Sequence, residues 1–223
     1  TLRAPRRQNP MFSAQDLAAY IELTKPRIVT MVILTAALGY SLAGGTSRAR
    51  LAWTLAATGL AACATGALNQ LIEIKQDGLM RRTKTRPLPQ GRLTPRQAKI
   101  FGLSTSAAAL AIFAWKVNPL STALCAGTIL AYLLVYTPMK TRTPQSTWAG
   151  AIAGAMPPLI GWAAARGSLS QEAWALFAIL FFWQLPHFLA IAACTQDSRA
   201  ICPAYADSCH RPLSFPLSPR SAP

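Results

Sequence analysis

Six apolar runs with no charge at their centres constrain this chain more than any other feature: residues 28–43, 51–72, 100–117, 120–137, 148–165 and 173–194. A helix that crosses a bilayer core needs about 20 mostly apolar residues. An ionised side chain at its centre costs about 2.5–3.5 kcal/mol on insertion scales. The exclusion of charge from all six runs therefore favours spans over helices buried in a globular domain. A chain that is 52% hydrophobic and 13% charged agrees with this. The expected fold class is all-α, a polytopic transmembrane helix bundle of about six spans. It is expected in three parts: a basic arm with an interfacial helix (1–27), the bundle (28–194) and a Pro/Ser-rich tail (195–223) whose composition reads as disordered.

A net charge of +15 raises the question of a nucleic-acid partner. The position of the charge answers it. Of the 22 Lys and Arg residues, 18 fall on alternate connections: the arm to Arg27, the segment Lys75 to Lys99, Lys140 with Arg142, and the tail. The intervening connections hold only Arg48, Arg50, Lys116 and Arg166. This is the positive-inside asymmetry, and it places both termini in the cytoplasm. Basic residues interleaved with aromatics on one exposed face, as nucleic-acid binding requires, are not found. No nucleic acid is expected as a partner. The lipid bilayer is, and the expected location is an integral position in a bacterial inner membrane.

Two of the seven acidic residues stand at the end of the second run, in Asn69-Gln-Leu-Ile-Glu73-Ile-Lys-Gln-Asp77. Spacing by four places the three polar side chains on one helix face, one turn apart. The second run is rich in Ala and Gly, which lets helix backbones approach closely in lipid, so these groups are delivered against neighbouring helices. Five basic residues follow directly: Arg81, Arg82, Lys84, Arg86 and Arg92. Carboxylates suit Mg2+, Mg2+ bridges to phosphate oxygens, and guanidinium and ammonium groups neutralise the phosphate charge that remains. A polar helix end with solvated acids is the alternative. Positive-inside charge accounts for the bases alone and leaves the adjacent acids unexplained.

Other positions carry weaker signals. Lys25 and Arg27 flank Pro26 at the start of the first span, where lysine and arginine also serve as anchors that reach to the interface. Tyr136 and Lys140 are four apart at the end of the fourth run, as an aromatic belt and a basic stop also are. The fifth run holds Pro157-Pro158, which breaks helical hydrogen bonding and is tolerated where protein or a cavity satisfies the backbone. His187 lies in the aromatic sixth run, equally readable as a hydrogen-bonded core histidine or as a ligand or proton carrier. The five cysteines are odd in number and contain no CxxC pair, so they read as small apolar residues or free thiols. Residues 13–22 are expected to form a short amphipathic helix with Ser13 as its cap. The polar arm of 27 residues makes the first run a retained span, not a cleaved signal.

Five stretches in order then point to a known family: Glu22-Leu-Thr-Lys-Pro-Arg27; Asn69-xxx-Glu73-xxx-Asp77 with Met80-Arg-Arg-Thr83-xx-Arg86-Pro-Leu88; Tyr136-Thr-Pro138 with Lys140-Thr-Arg-Thr-Pro-Gln145; Gly154-Ala-Met-Pro-Pro158 with Ile160-Gly-Trp-Ala163; and Trp183-xx-Pro186-His-Phe188. From about residue 20 to 193 the chain resembles the UbiA superfamily of intramembrane prenyltransferases, in its protohaem IX farnesyltransferase branch. The resemblance implies that Asn69, Glu73 and Asp77 form a metal–diphosphate motif with Mg2+. It implies that Lys25, Arg81, Arg86, Tyr136 and Lys140 hold the diphosphate, and that His187 lies toward the porphyrin. The implied reaction moves a farnesyl group from farnesyl diphosphate to a vinyl group of haem B with addition of water, giving haem O. Partners in the haem pathway or in terminal-oxidase assembly are implied as well.

The chain also departs from the family pattern. Glu73 stands where Asp is usual. The family's nine-helix bundle has a second acidic motif after helix six, whereas here the resemblance ends after Ala193. Asp197 falls where that motif begins, and Ile201 stands four residues on in place of a second acid. The expectation is a truncated or frame-shifted member. The alternatives are a catalytically inactive chain and a prenyltransferase acting on a quinone-type aromatic acceptor.

Overall fold

The computed structural model describes residues 14–80, 83–140, 143 and 145–194. Ser13, Arg81, Asp197 and the 195–223 tail lie outside them. Among the described residues all regular structure is helical: α1 (Ala14–Thr24), α2 (Pro26–Leu42), α3 (Arg48–Ile72), α4 (Ile74–Leu79), α5 (Pro95–Val117), α6 (Pro119–Met139), α7 (Ser146–Arg166) and α8 (Gln171–Cys194). The six long helices coincide with the six apolar runs. By length and composition α3, α5 and α6 can each cross a membrane, and α2 is a shorter apolar helix of 17 residues.

Local chemistry sets the helix ends. Pro26, Pro95 and Pro119 open α2, α5 and α6, where a missing N–H leaves nothing unsatisfied. Thr94 and Gln97 form a capping box, with Gln97 N donating to Thr94 Oγ1 (3.2 Å) and Thr94 N donating to Gln97 Oε1 (2.9 Å). Asn118 caps α6 through Oδ1, and its Nδ2 donates to Ala163 O of α7 (2.7 Å). At the same end Arg166 Nε donates to Ala43 O (2.7 Å), tying the end of α7 to the end of α2.

α3 packs chiefly on α5, and α2 on α7, which in turn carries α6 and α8. The α2–α7 approach depends on two glycines. A Cβ on Gly161 would overlap the Ala36 backbone, and one on Gly39 would overlap the backbone of Pro158. This is the close backbone contact that small residues permit in lipid. α7 runs unbroken through Pro157 and Pro158, where the sequence suggested an interruption, and is packed between α2 and α8. Cys63 and Cys125 are free thiols.

Within 78–95, a stretch whose composition reads as a long polar loop, residues 83–93 form a series of tight turns on a buried footing. Leu88 and Leu93 are buried with Ala19 and Leu23 of α1, Ala67 of α3 and Ala98 of α5. α1 thus lies over the end of the bundle and presses this segment against it, while Leu17 and Ile21 stay exposed.

Gly161→Ala is expected to destabilise the protein by about 1–3 kcal/mol, the scale of overpacking a tight contact. Gly127→Ala on α6, where an added Cβ meets open space, is expected to be neutral or to stabilise by up to about 1 kcal/mol. Thermal unfolding of both variants in one detergent checks the contrast.

Candidate functional site

The polar end of the bundle gathers the start of α2, the end of α3, the 83–93 turns and the end of α6. α3 delivers Asn69 and Gln70 in its last turn, both buried. Glu73 is the joint between α3 and α4, with φ −88° and ψ 7°. The i to i+4 register survives this joint, because Glu73 N donates to Asn69 O (2.9 Å) and Asp77 N to Glu73 O (2.8 Å). Asn69, Glu73 and Asp77 therefore keep one face, and all three are buried.

Each is met by a base or donor from a different element. Lys25 Nζ donates to Asn69 Oδ1 (3.1 Å). Lys140 Nζ donates to both Glu73 oxygens (3.1 and 3.2 Å). Arg86 NH1 pairs with Asp77 Oδ2 at 2.6 Å. Thr83 Oγ1 donates to Asp77 O (3.0 Å) and Arg86 N donates to Thr83 O (3.0 Å), so the turns fold Arg86 back onto the acid.

Two backbone distortions serve this convergence. Lys25 has φ +55°, the only positive φ outside glycine among the described residues. A left-handed conformation costs a residue with a Cβ roughly 1–2 kcal/mol, and strain of this kind gathers at functional sites. Here it turns the chain from α1 into α2 within one residue and aims Lys25 at Asn69. In α6, residues Ala131–Tyr136 widen into a π-helix, a feature frequent at functional sites. Thr137 Oγ1 then donates to Tyr132 O (2.8 Å) and accepts from Asn69 Nδ2 (3.2 Å).

Electrostatics follow from the burial. Desolvation, and next the nearby Arg86 guanidinium, lower the Lys25 ammonium from its ordinary 10.5 to about 8. An anion bound beside it would counter both effects. Asp77 Oδ1 is buried without a hydrogen-bond partner, a vacant acceptor of the kind that normally has a role. Among the described residues no three His, Cys, Asp or Glu side chains converge as a metal centre. The cluster offers two carboxylates and one amide, an oxygen set that suits a hard cation completing its shell with water and phosphate oxygens, as Mg2+ does.

Of the residues singled out from sequence, Lys25, Asn69, Glu73, Asp77, Arg86 and Lys140 come together. Tyr136 lies one turn before Lys140, its ring 4.9 Å from that of Tyr132 and against Gly150 of α7. His187 sits on the exposed side of α8, stacked on Trp183 with centroids 5.0 Å apart. Among the described residues no hydrogen bond or ion pair joins it to the cluster. Arg81 and Asp197 fall outside the described residues. Sequence reasoning missed Thr137 and Gln70, whose Nε2 donates to Leu23 O (2.9 Å) and secures α1. Polar side chains within four residues of an already suspected acid or base were the available signal.

A profile of the UbiA prenyltransferase family matches residues 31–202. The chain is 47% identical over 192 residues to the protoheme IX farnesyltransferase of Solibacter usitatus, covering 81% of this chain and 66% of that protein. It is 44% identical over 201 residues to that of Anaeromyxobacter sp., covering 90% and 67%. With the mitochondrial protoheme IX farnesyltransferase of Arabidopsis thaliana it shares 40% identity over 185 residues, covering 81% and 43%. The chain thus spans about two thirds of the length of the first two relatives and under half of the third. Among solved structures, a UbiA homolog from Archaeoglobus fulgidus bound to DMAPP and Mg2+ has the same fold, with a TM-score of 0.72 at 18% identity over 84% of this chain and 69% of that one. The apo UbiA homolog from Aeropyrum pernix K1 gives a TM-score of 0.66 at 22% identity, covering 75% and 63%.

The two ion pairs differ in worth. Arg86 faces an acid that is fully buried, and its own side chain is 21% exposed, whereas Lys140 is 42% exposed. Removing one partner of a buried pair leaves an uncompensated charge costing about 3–5 kcal/mol, and exposed pairs are worth about 1 kcal/mol or less. Arg86→Met is expected to destabilise by about 3 kcal/mol and Lys140→Met by about 1, on these scales. Asp77→Asn added to Arg86→Met should recover much of the loss. Thermal unfolding of the two single variants and the double variant measures all three effects.

Proposed function

Since this chain belongs to the UbiA prenyltransferase family, we propose that it transfers a farnesyl group from farnesyl diphosphate to a vinyl group of haem B, giving haem O. The observation that carries this reading is the interlocked cluster of Asn69, Glu73 and Asp77 with Lys25, Lys140 and Arg86. Breaking an allylic C–O bond requires the leaving diphosphate to be neutralised. These six side chains offer cations for its oxygens and carboxylates that would hold a metal ion to neutralise it further.

Asn69, Glu73 and Asp77 would hold Mg2+, which offsets phosphate charge as the C–O bond lengthens. Lys140 and Arg86, which face the same acids, would donate to phosphate oxygens. Lys25 lies beside them and regains proton affinity as the anion arrives. Arg81 and Tyr136 are assigned to the same diphosphate. Below the mouth, Tyr132, Tyr136 and Phe188 offer aromatic faces to the allylic cation, and the apolar bundle keeps bulk water away. His187 is assigned to the haem side, and Asp197 to a weaker second metal contact. The same reading places the protein in the bacterial inner membrane with both termini cytoplasmic, as arm 1–27, bundle 28–194 and tail 195–223. Its partners would be haem-pathway or terminal-oxidase assembly proteins.

Because acids and bases occupy one another, metal and diphosphate should bind as mutually dependent ligands. Pyrophosphate binding to the detergent-solubilised protein, followed by calorimetry, is expected to be at least about tenfold tighter with Mg2+ than without, about 1.4 kcal/mol of coupling. Asp77→Asn should remove most of that difference. Membranes containing the protein, haem B and farnesyl diphosphate should form haem O. Haem B left unmodified while a quinone-type acceptor is prenylated would reassign the acceptor.

A further inference from the structure

Asn69 differs from the two acids beside it in one respect. Glu73 and Asp77 present oxygen whichever way their side chains turn, whereas a half-turn of a carboxamide exchanges its oxygen for an NH2 group, and only the oxygen can hold a cation or accept from an ammonium. The use of Asn69 in the clamp therefore depends on its orientation. Two neighbours fix it. Lys25 Nζ, which can only donate, faces Oδ1 (3.1 Å), and Thr137 Oγ1 of α6 faces Nδ2 (3.2 Å).

Thr137 is selective because its own proton is already committed. A threonine hydroxyl has one proton to give. That of Thr137 goes to Tyr132 O at 2.8 Å, so toward Asn69 the hydroxyl can only accept, and only Nδ2 can meet it. The commitment follows from the widened turn of α6. Elsewhere in the bundle threonine hydroxyls bond the carbonyl four residues back, as Thr54 does to Arg50, Thr58 to Thr54, Thr65 to Ala61 and Thr128 to Leu124. In the π register the carbonyl five residues back, Tyr132 O, receives both the Thr137 N–H and the Thr137 hydroxyl. Thr137 and Asn69 are both buried, so bulk water does not compete for either group.

The two neighbours differ in permanence. On the farnesyl-transfer reading Lys25 belongs to the diphosphate, so phosphate oxygens compete with Asn69 for its ammonium. The same oxygens would draw Nδ2 toward them and turn the amide over. Thr137 is assigned to no ligand, and its proton is anchored on the backbone of α6. We propose that Thr137 is a positioning residue that keeps Asn69 Oδ1 turned toward the metal and diphosphate while Lys25 exchanges partners. This rests on the farnesyl-transfer reading. With Thr137 in place the acid face keeps three oxygen-bearing side chains for a hard cation; without its hydroxyl one of the three is free to present N–H instead. Outer partners that orient a ligating side chain in this way are part of what sets metal affinity.

The test measures pyrophosphate binding to the detergent-solubilised chain by calorimetry, with chelator and across a Mg2+ titration. Thr137→Val, Thr137→Ser and Asn69→Asp with and without Thr137→Val are compared with the parent. Thr137→Val is expected to need about tenfold more Mg2+ for half of the metal-dependent gain, the low end of the loss when an outer partner of a metal ligand is removed. Its binding in chelator should stay within about twofold of the parent, since Lys140 and Arg86 keep their partners. Thr137→Ser keeps the hydroxyl and should restore the Mg2+ requirement. In the Asn69→Asp background either oxygen can face the metal, so adding Thr137→Val should move the requirement by less than about threefold. A Thr137→Val chain with the parent's Mg2+ requirement overturns the proposal. So does Thr137→Ser shifted as far as Thr137→Val, which marks a packing role, or an equal shift in both Asn69 backgrounds, which marks an effect through α6 and not through the amide. Thr137→Ala replaces Thr137→Val in the comparison if the valine chain binds no pyrophosphate in chelator. A parent whose binding ignores Mg2+ overturns the metal in the farnesyl reading and this proposal with it. A parent that binds with Mg2+ yet leaves haem B unmodified in membranes refutes the farnesyl reading alone, and the Mg2+ titrations still decide Thr137.

Discussion

Burying Glu73 and Asp77 at the mouth of a membrane bundle is the constraint to which the surrounding parts answer. A lone carboxylate there would be untenable, since the effective penalty for desolvating one ion is several kcal/mol. Each acid therefore needs a cation, and the α3–α4 segment that carries both acids supplies neither. Lys140 arrives from the end of α6 and Arg86 from the turns after α4. Lys25, from the start of α2, completes the set by holding Asn69. The order in which the chain returns to this end of the bundle thus follows from charge neutralisation as much as from packing. The turns at 83–93 illustrate it: their buried leucines under α1 fix a segment that composition alone marks as loop, and the fixed segment places Arg86.

Small residues make this convergence sterically feasible. Gly39 and Gly161 bring α2 and α7 together, and α3, with its run of alanines, lies against α5 and α2. Lipid offers little hydrophobic drive for helix association, so van der Waals contact at close range has to do that work. A bundle assembled this way can hold its polar end rigidly without relying on a large apolar core, and rigidity is what a clamp of oppositely charged groups needs.

Sequence patterns rested on the strongest physical terms, and those survive in the structure. Charge exclusion located six long helices, and spacing by four located the acid face. The resemblance named Lys25, Arg86 and Lys140, which converge on that face. What the pattern could not reveal depends on local geometry that a string of residue types does not encode. The π widening at residues 131–136 turns Thr137 toward Asn69, yet Ala-Tyr-Leu-Leu-Val-Tyr reads as ordinary helix. The left-handed Lys25 occurs at a residue type that seldom adopts it. Pro157-Pro158 reads as an interruption, yet α7 continues through both prolines between α2 and α8. His187 drew notice as a rare histidine, and its surroundings on the exposed side of α8 are aromatic.

Polarity in the bundle is also graded along its length in a way that bears on the proposed chemistry. At the mouth the groups beyond the acids are donors: the ammoniums of Lys25 and Lys140 and the guanidinium of Arg86. One to two turns deeper the rings of Tyr136 and Phe188 pack against Gly150, and the Gln184 amide lies buried on Gly154. Ionisation of an allylic diphosphate creates an anion and a cation a bond length apart. In a medium of low dielectric their recombination is strongly favoured, and a uniform apolar chamber would do nothing to oppose it. On the proposed chemistry, donors at the mouth and aromatic faces deeper in the bundle would hold the two charges at different depths. Holding the two charges apart in this way would lower the barrier to breaking the bond.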